Sequence, residues 1–140
     1  MADAFEIEIA TPERLLAREK AVRAQIPAKD GYIGVLPDHA SLLSELGIGA
    51  MTYMTPENHR YSLAVRGGFL EIHNNVVRVL TDVAEKGQEI DVTQAEKDLK
   101  EAQDAVISPA LGVDIASALA AVMHAQARID AARKAVSNEE

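Results

Sequence analysis

Apolar and polar side chains alternate along much of the first 90 residues. Residues 5–9 place Phe5, Ile7 and Ile9 on one side of a strand and two glutamates on the other. Residues 69–73 also alternate, with Leu70 and Ile72 on one side. A period of two predicts β-strands with one buried face. The other side of the segment 69–81 mixes charged and apolar residues, which indicates contact with water or with a partner protein.

Turn-forming residues divide this region into short strands. We predict strands at residues 61–65, 69–73 and 76–81, joined by two-residue hairpin turns at Gly67-Gly68 and Asn74-Asn75, because Gly and Asn reach positive φ at little cost. Residues 15–26 are predicted to form one long or broken strand, and a further hairpin turns at residues 55–58. About nine to ten short strands before residue 88 have the spacing of a β-sandwich or barrel. We predict an all-β sandwich over residues 1–88.

The pattern changes after Gly87 to a helical one. Apolar residues recur at steps of three and four, at Val92, Ala95, Leu99, Ala102 and Val106. After the break at Ser108-Pro109, a second helix is predicted for about residues 114–136. Its expected apolar stripe holds Ile115, Leu119, Val122 and Ile129, with Ala116, Ala120, Met123 and Ala127 beside it.

The two helices predict an antiparallel hairpin over residues 89–140. Their facing surfaces are largely Ala, so each contact buries little apolar area. We therefore expect the hairpin to be held weakly and to be a mobile appendage. At its start, Asp91 and Gln94 have the spacing of a capping box, in which Gln94 reaches back to the helix start. Asp114 is expected to cap the second helix in the same way.

Composition argues against several classes of function. A net charge of −8, only 4% aromatic residues and no Trp argue against a nucleic-acid surface. The chain has no Cys, its four His residues lack the spacing of metal ligands, and no phosphate loop or nucleophile elbow occurs. No catalytic or metal site is expected. The N-terminus does not resemble a signal peptide, and no run approaches the roughly 20 apolar residues that span a bilayer, so we expect no direct membrane insertion.

Three segments in order carry a family resemblance. They are GVLPDHA from Gly34, GGFLE from Gly67 and VLTD from Val79, and a helical hairpin follows them. Together they resemble the epsilon subunit family of the bacterial F-type ATP synthase. The resemblance implies a non-catalytic rotor subunit of the central stalk, which couples proton-driven rotation of the c ring to ATP synthesis. The implied partners are the gamma subunit, the c ring and the alpha/beta catalytic head. The implied location is peripheral, on the cytoplasmic face of the bacterial inner membrane, since the chain lacks an Arg-rich transit peptide.

The resemblance also implies contacts with the c ring. The family's contacting loops match residues 30–41, and the residues implied are Asp30, Tyr32, Asp38, His39 and Ser41. Family members often carry an acidic residue where Tyr32 stands here. Asp30 is the alternative source of that charge.

In this family the hairpin folds down on the sandwich or extends toward the catalytic head, where it blocks rotation in the hydrolysis direction. The resemblance implies inhibitory contacts by a basic stripe of Arg128, Arg133 and Lys134. The alternative is that these are solvated cations that favour a helix C-terminus.

Some family members bind ATP through an Ile/Leu-Asp-x-x-Arg-Ala motif. Ile90, Asp91 and Ala95 match it, but Gln94 replaces the Arg, and His124 and Arg128 align with two basic positions of the second helix. Loss of a guanidinium removes a forked phosphate donor. We therefore expect weak or absent ATP binding and no other cofactor.

Two further classes of function stay open. One is a free-standing β-sandwich that binds a small molecule, for which only five aromatic side chains are available to line a pocket. The other is an ATP sensor that acts apart from any rotor, against which Gln94 argues.

Overall fold

The alternating segments form strands and the segments of period 3.6 form helices. The structure is a computed structural model that describes residues 2–137. Its elements are β1 (Phe5–Ala10), β2 (Leu15–Ala21), β3 (Arg23–Ala28), β4 (Gly31–Val35), β5 (Leu42–Glu45), β6 (Ile48–Met54), β7 (Arg60–His73), β8 (Val76–Lys86), α1 (Val92–Ile107) and α2 (Ile115–Ser137). A single 3₁₀ turn, Gly87–Glu89, leads into the helices. The prediction of a β-sandwich followed by a helical hairpin is confirmed.

One sheet forms both layers of the sandwich, in the order β2-β1-β8-β7-β6-β3-β4, with β5 also paired to β7. The first half of β7 pairs with β6 and its second half with β5, while β8 accompanies both halves. Strands β5 and β6 face β7 in one continuous register. Long strands that change layers in this way fold a sheet back on itself.

The prediction of a hairpin turn at Gly67-Gly68 is wrong. Strand β7 continues through both glycines, and its register with β8 does not shift. Gly67 and Gly68 have φ of 74° and 105° and lie where β7 changes layers. A Cβ on Gly68 would lie 2.1 Å from the Leu80 carbonyl oxygen, so a side chain would clash with β8. The two glycines bend one strand, which is why eight strands form rather than nine or ten.

Other predicted turns are confirmed. Asn74 and Asn75, with φ of 50° and 62°, join β7 to β8. The predicted strand at residues 15–26 is broken, and Val22 separates β2 from β3. The turn at residues 55–58 joins β6 to β7.

The inner faces of the two layers form the main core. Phe5, Ile7, Ile9, Leu70 and Ile72 are all buried there, as their alternation predicts. Residues of the opposite layer, such as Val35, Met51 and Val65, complete the core. Among the residues whose burial the structure describes, none of the helical ones belongs to this cluster.

The helical hairpin forms a second, smaller core against the outside of β6 and β7. Ala50 and Ala64 on the sheet meet Ala127, Ala131 and Ala132 of α2 and other buried residues, including Ile90, Ala95 and Ile129. The Ser62 hydroxyl donates to the Ala131 carbonyl over 2.6 Å. A Cβ on Gly87 would lie 2.4 Å from that carbonyl oxygen. Small residues therefore allow α2 to lie close to the sheet, with little apolar area in each contact.

The predicted apolar stripe of α2 is only partly right. Ile129 and Ala127 are buried, but Ile115, Leu119 and Met123 are exposed. Ala118 and Ala125 are buried instead. The contacts identified between α2 and the sheet lie in the C-terminal half of the helix, where the buried residues are mostly Ala. Ile115, Leu119 and Met123 lie in its N-terminal half and therefore stay exposed.

The helix caps are confirmed in part. The Asp91 carboxylate accepts from the Gln94 backbone N–H over 3.1 Å. The Gln94 side chain does not complete a capping box, however, and instead donates forward to Asp98 over 2.8 Å. Asp114 accepts from the Ala116 N–H and caps α2 as expected.

Candidate functional site

The loop at residues 36–41, between β4 and β5, brings three of the five predicted c-ring residues together at one end of the sandwich. Asp38 has φ of 62° and is exposed, and His39 and Ser41 follow it. The Ser41 hydroxyl lies 3.2 Å from His73 Nδ1 on β7. The Asp38 N–H donates to Asn75 Oδ1 over 2.8 Å. Residues at and next to the turn between β7 and β8 thus hold this loop in place.

Asp30 and Tyr32 do not join them. Asp30 lies in the turn between β3 and β4, at the other end of β4 from Asp38. The Tyr32 ring reaches across to β6, where its hydroxyl stands over Gly49. Burial raises the pKa of the Tyr32 phenol. The five residues predicted for one contact therefore occupy two places on the surface.

The outer face of the layer β5-β7-β8-β1-β2 carries a charged row. Arg78 pairs with Glu71 over 3.0 Å and with Glu8 over 3.7 Å. Glu8 also pairs with Arg18 over 3.4 Å. Exposed ion pairs of this kind contribute little to stability individually. Their alternating signs cross four strands and give this face a defined electrostatic pattern.

An apolar row lies beside the charged one. Phe69 of β7 stands opposite Leu80 of β8, which neighbours Ala10 of β1. The Phe69 residue is 53% exposed and Leu43 of β5 is 72% exposed. Among the described residues, four large apolar side chains of this layer are exposed, namely Leu15, Leu43, Phe69 and Leu80. A contiguous exposed apolar area of this kind marks a protein-binding surface. We call it the outer patch.

Three of the four residues predicted for ATP binding, Asp91, Gln94 and Arg128, are linked between the hairpin and the sheet. Arg128 Nε lies 2.8 Å from Glu85 Oε1, and its Nη2 donates to Glu85 Oε2 over 3.2 Å. Its Nη1 donates to Asp98 over 3.4 Å. Gln94 binds the other oxygen of Asp98, and Asp91 caps the same helix. We call Glu85, Asp91, Gln94, Asp98 and Arg128 the junction network; it joins β8, α1 and α2.

The junction network includes two residues to which the sequence analysis assigned no role. Glu85 and Asp98 neutralise Arg128, whose side chain is only 16% exposed. The spacing of Gln94 and Asp98, four residues apart on a helix, was the available signal for Asp98. A phosphate approaching Arg128 would meet two carboxylates already bound to it. This geometry weakens the binding of anions at Arg128.

His124 lies one helical turn before Arg128. Its Nε2 is buried without a hydrogen-bond partner among the described residues. Burial lowers the pKa of the His124 imidazole, and Arg66 of β7 and Arg128 lower it further. Glu85 of β8 and Asp98 of α1 act in the opposite direction but do not reverse the shift. The docked hairpin therefore favours neutral His124.

The three cations predicted to form one stripe do not share a face of α2. Arg128 points into the junction network, whereas Arg133 is exposed. Lys134 is half-buried and lines a cavity with Arg23 and Arg60 at the end of the helix. Steps of about 100° per residue separate the three directions. In the docked hairpin, the exposed part of this group is chiefly Arg133.

Comparison with known proteins identifies the family. The model of the ATP synthase delta/epsilon chain β-sandwich domain matches residues 4–87. The chain belongs to the ATP synthase delta/epsilon family. An ATP synthase epsilon chain from Solibacter usitatus is 53% identical over 134 residues, which cover 96% of this chain and 99% of that relative. An epsilon chain from Koribacter versatilis is 44% identical over 103 residues, covering 74% of this chain and 72% of its own length.

Solved structures show the same fold for members of ATP synthase assemblies. A chain of the Euglena gracilis mitochondrial ATP synthase, in its OSCP/F1/c-ring assembly, has a TM-score of 0.81 at 20% identity. The alignment covers 98% of this chain and 83% of that one. A central-stalk/c-ring chain from Tetrahymena thermophila has a TM-score of 0.58 at 16% identity, with 93% and 94% coverage. The fold match thus covers the hairpin as well as the sandwich.

Residues 2–137 contain neither a clustered metal site nor a membrane-spanning helix. No group of three or more His, Asp or Glu side chains is arranged to hold a metal ion. Neither α1 nor α2 is long and apolar enough to cross a bilayer.

Replacement of Arg128 by Met tests the junction network. The substitution keeps much of the side-chain volume but leaves Glu85 and Asp98 without their shared cation. Glu85 and Asp98 are 34% and 42% exposed, so water screens part of their repulsion. We expect docking of the hairpin to weaken by about 1–2 kcal/mol, between the values typical of surface and buried ion pairs. Amide hydrogen exchange of α2 should accelerate roughly 5- to 30-fold.

Arg133→Met is the matched control, because Arg133 is exposed on the same helix. It should leave the exchange of α2 unchanged. Equal exchange rates in Arg128→Met and Arg133→Met would show that the junction network does not hold the hairpin.

The docked hairpin should also loosen in acid because of His124. Its pKa is lowered from 6.5 when it is docked and returns toward 6.5 when it is released. Neutral His124 therefore supports docking fully above about pH 6.5, and this support is lost as the pH falls from there to the lowered pKa. Protection of α2 amides, corrected for intrinsic exchange, should decrease as the pH falls below about 6.5. His124→Gln should reduce this decrease, and an unchanged pH profile in that variant would assign the effect to other groups.

Proposed function

We propose that this chain is a non-catalytic subunit of the central stalk of a bacterial F-type ATP synthase. In this role it couples proton-driven rotation of the c ring to ATP synthesis. Its family and the central-stalk and c-ring assemblies of its structural neighbours support this proposal. The observation that carries it furthest is the outer patch, because a free-standing sandwich has no use for a large exposed apolar face.

The outer patch is the proposed binding surface for the gamma subunit. Phe69 and Leu43 are large anchors, and the charged row through Arg78 and Glu8 flanks them. An apolar centre beside alternating charges is the usual composition of a protein interface. The apolar centre would supply affinity, and the charges would set the register of the partner.

The loop at residues 36–41 is the proposed contact with the c ring. Asp38, His39 and Ser41 project from one end of the sandwich, and the β7–β8 turn supports them. Asp30 and Tyr32 lie away from this end, so we propose that they contact the ring at a separate edge of the sandwich. The chain would be peripheral on the cytoplasmic face of the inner membrane, held there by its partners.

The hairpin is the proposed regulatory part of the molecule, as a mobile domain beginning near residue 89. Its contact with the sheet is Ala-rich and is reinforced by a partly exposed ion pair, which suits an element with two positions. To reach acidic loops of the alpha/beta catalytic head, Arg128 would have to leave Glu85 and Asp98. Arg133 is already exposed, and Lys134 is half-buried.

We assign ATP at most a weak role. Gln94 donates to Asp98 rather than offering a cation, and Arg128 is bound by two carboxylates. His124 favours its neutral form and adds no charge. No other cofactor enters the proposal.

Phe69→Lys tests the gamma-binding surface. It places a charge at the centre of the outer patch without touching the core, because Phe69 points to solvent. We expect at least a 100-fold loss of affinity for purified gamma, the scale of an interface hot spot. Leu111→Lys is the control, since Leu111 is exposed in the loop between the helices. Failure of the unchanged chain to bind gamma at micromolar concentration would overturn the rotor assignment in favour of a free-standing binding module.

Hydrolysis of ATP by a catalytic head stripped of this subunit tests the regulatory part. The head is reconstituted with the full chain or with residues 1–88, which contain all the residues identified in the main core within the described part of the chain. We expect both forms to bind and only the full chain to slow hydrolysis. Equal hydrolysis rates would remove the inhibitory role and leave the coupling role intact.

A further inference from the structure

We propose that Asn75 is a positioning residue that sets the shape of the loop at residues 36–41 for docking to the c ring. This inference rests on the proposed function, since it assumes that the loop is the docking element. The role is distinct from the turn chemistry that the Asn74-Asn75 sequence indicates. It follows from the bonds that the Asn75 side chain makes outside its own turn.

Asn75 connects three separate segments of the chain. Its Oδ1 accepts from the Asp38 N–H over 2.8 Å, and its Nδ2 donates to the Ala4 carbonyl over 2.7 Å. Its own carbonyl accepts from the Glu6 N–H over 3.1 Å. Both side-chain bonds span more than 35 residues of sequence. The Asn75 side-chain amide therefore joins the β7–β8 turn, the loop at residues 36–41 and the N-terminal segment that leads into β1.

Asp38 is the residue of the loop that most needs such support. Its φ of 62° lies in the left-handed region, which costs free energy for a residue with a Cβ. Two bonds hold it there: its N–H donates to Asn75, and its carboxylate accepts from the Ala2 N–H over 2.8 Å. His39 follows at once, so the backbone direction at Asp38 sets where His39 points. Strain held in place by surrounding bonds is typical of binding sites.

The other end of the loop is held by the same hairpin. The Ser41 hydroxyl lies 3.2 Å from His73 Nδ1, two residues before Asn75. Residues 36–41 are thus fixed at two points on one rigid turn. A loop shaped in advance loses less conformational entropy when it docks. Asn75 would act on ring affinity through the loop, without touching the ring.

The experiment compares Asn75→Gly with Asn74→Gly. Both positions have positive φ, which Gly adopts freely, so neither substitution strains the turn. The Asn74 side chain makes no hydrogen bond with other described residues, and Asn74→Gly is therefore a matched control. The probes are the full chain bound to gamma and a detergent-solubilised c ring.

For Asn75→Gly we expect about fivefold or greater loss of affinity for the ring, the effect of losing one or two hydrogen bonds. The Asp38 amide should exchange with solvent about fivefold faster for the same reason. Affinity for gamma should not change, because the outer patch lies on a different surface; a general loss of structure would lower both affinities. Asn74→Gly should change none of the three measurements.

The outcomes separate the inference from the proposed function. Equal ring affinity in the two variants, with the unchanged chain binding normally, would overturn only the role of Asn75. Faster exchange at Asp38 without loss of ring affinity would do the same. An unchanged chain that binds neither gamma nor the ring would overturn the proposed function and the role of Asn75 with it.

Discussion

The bend of β7 at Gly67-Gly68 is the constraint on which the rest of the structure depends. Because a side chain on Gly68 would meet the Leu80 carbonyl, the bend requires glycine at this position. Strands β5 and β6 follow the same bend on one side of β7, and β8 follows it on the other. One sheet thereby encloses a core and presents two outward surfaces. The hairpin lies on one of them, and the outer patch occupies the other.

The hairpin's contact with the sheet combines close approach with little apolar area. Ser62, Ala64 and Gly87 allow α2 to approach closely. Specificity of the contact comes from polar groups: the Ser62 bond to the helix backbone and the ion pairs of Arg128. Partly exposed ion pairs contribute modestly, and a neutral, half-buried His124 adds a dependence on proton concentration. A contact of this composition gives an ordered docked state whose free energy is close to that of the released state, as an element with two positions requires.

The sequence predicted those features that local patterns determine. Alternation identified the buried faces of β1, β7 and β8, and positive-φ preferences identified the Asn74-Asn75 turn. The same preferences misled at Gly67-Gly68, because a positive φ serves a bend within a strand as well as a turn between strands. Periodicity failed at Leu119 and Met123, since an amphipathic pattern does not say how much of a helix has a partner. The contacts of Arg128 with Glu85 and Asp98 join residues 30 to 43 positions apart, which no local pattern reports.

The two outward surfaces are linked chiefly by strands that belong to both layers. Strands β7 and β8 run beneath the hairpin in one half and beneath the outer patch in the other. Both strands are continuous, paired along their length and anchored in the main core. We therefore expect them to keep one conformation whether or not the hairpin is docked. Interiors packed in this way do not deform gradually. Release of the hairpin would therefore expose Ser62, Ala64 and Arg66 while leaving Phe69 and Leu80 in place. A subunit built in this way can change its regulatory contact without loosening its hold on the rotor.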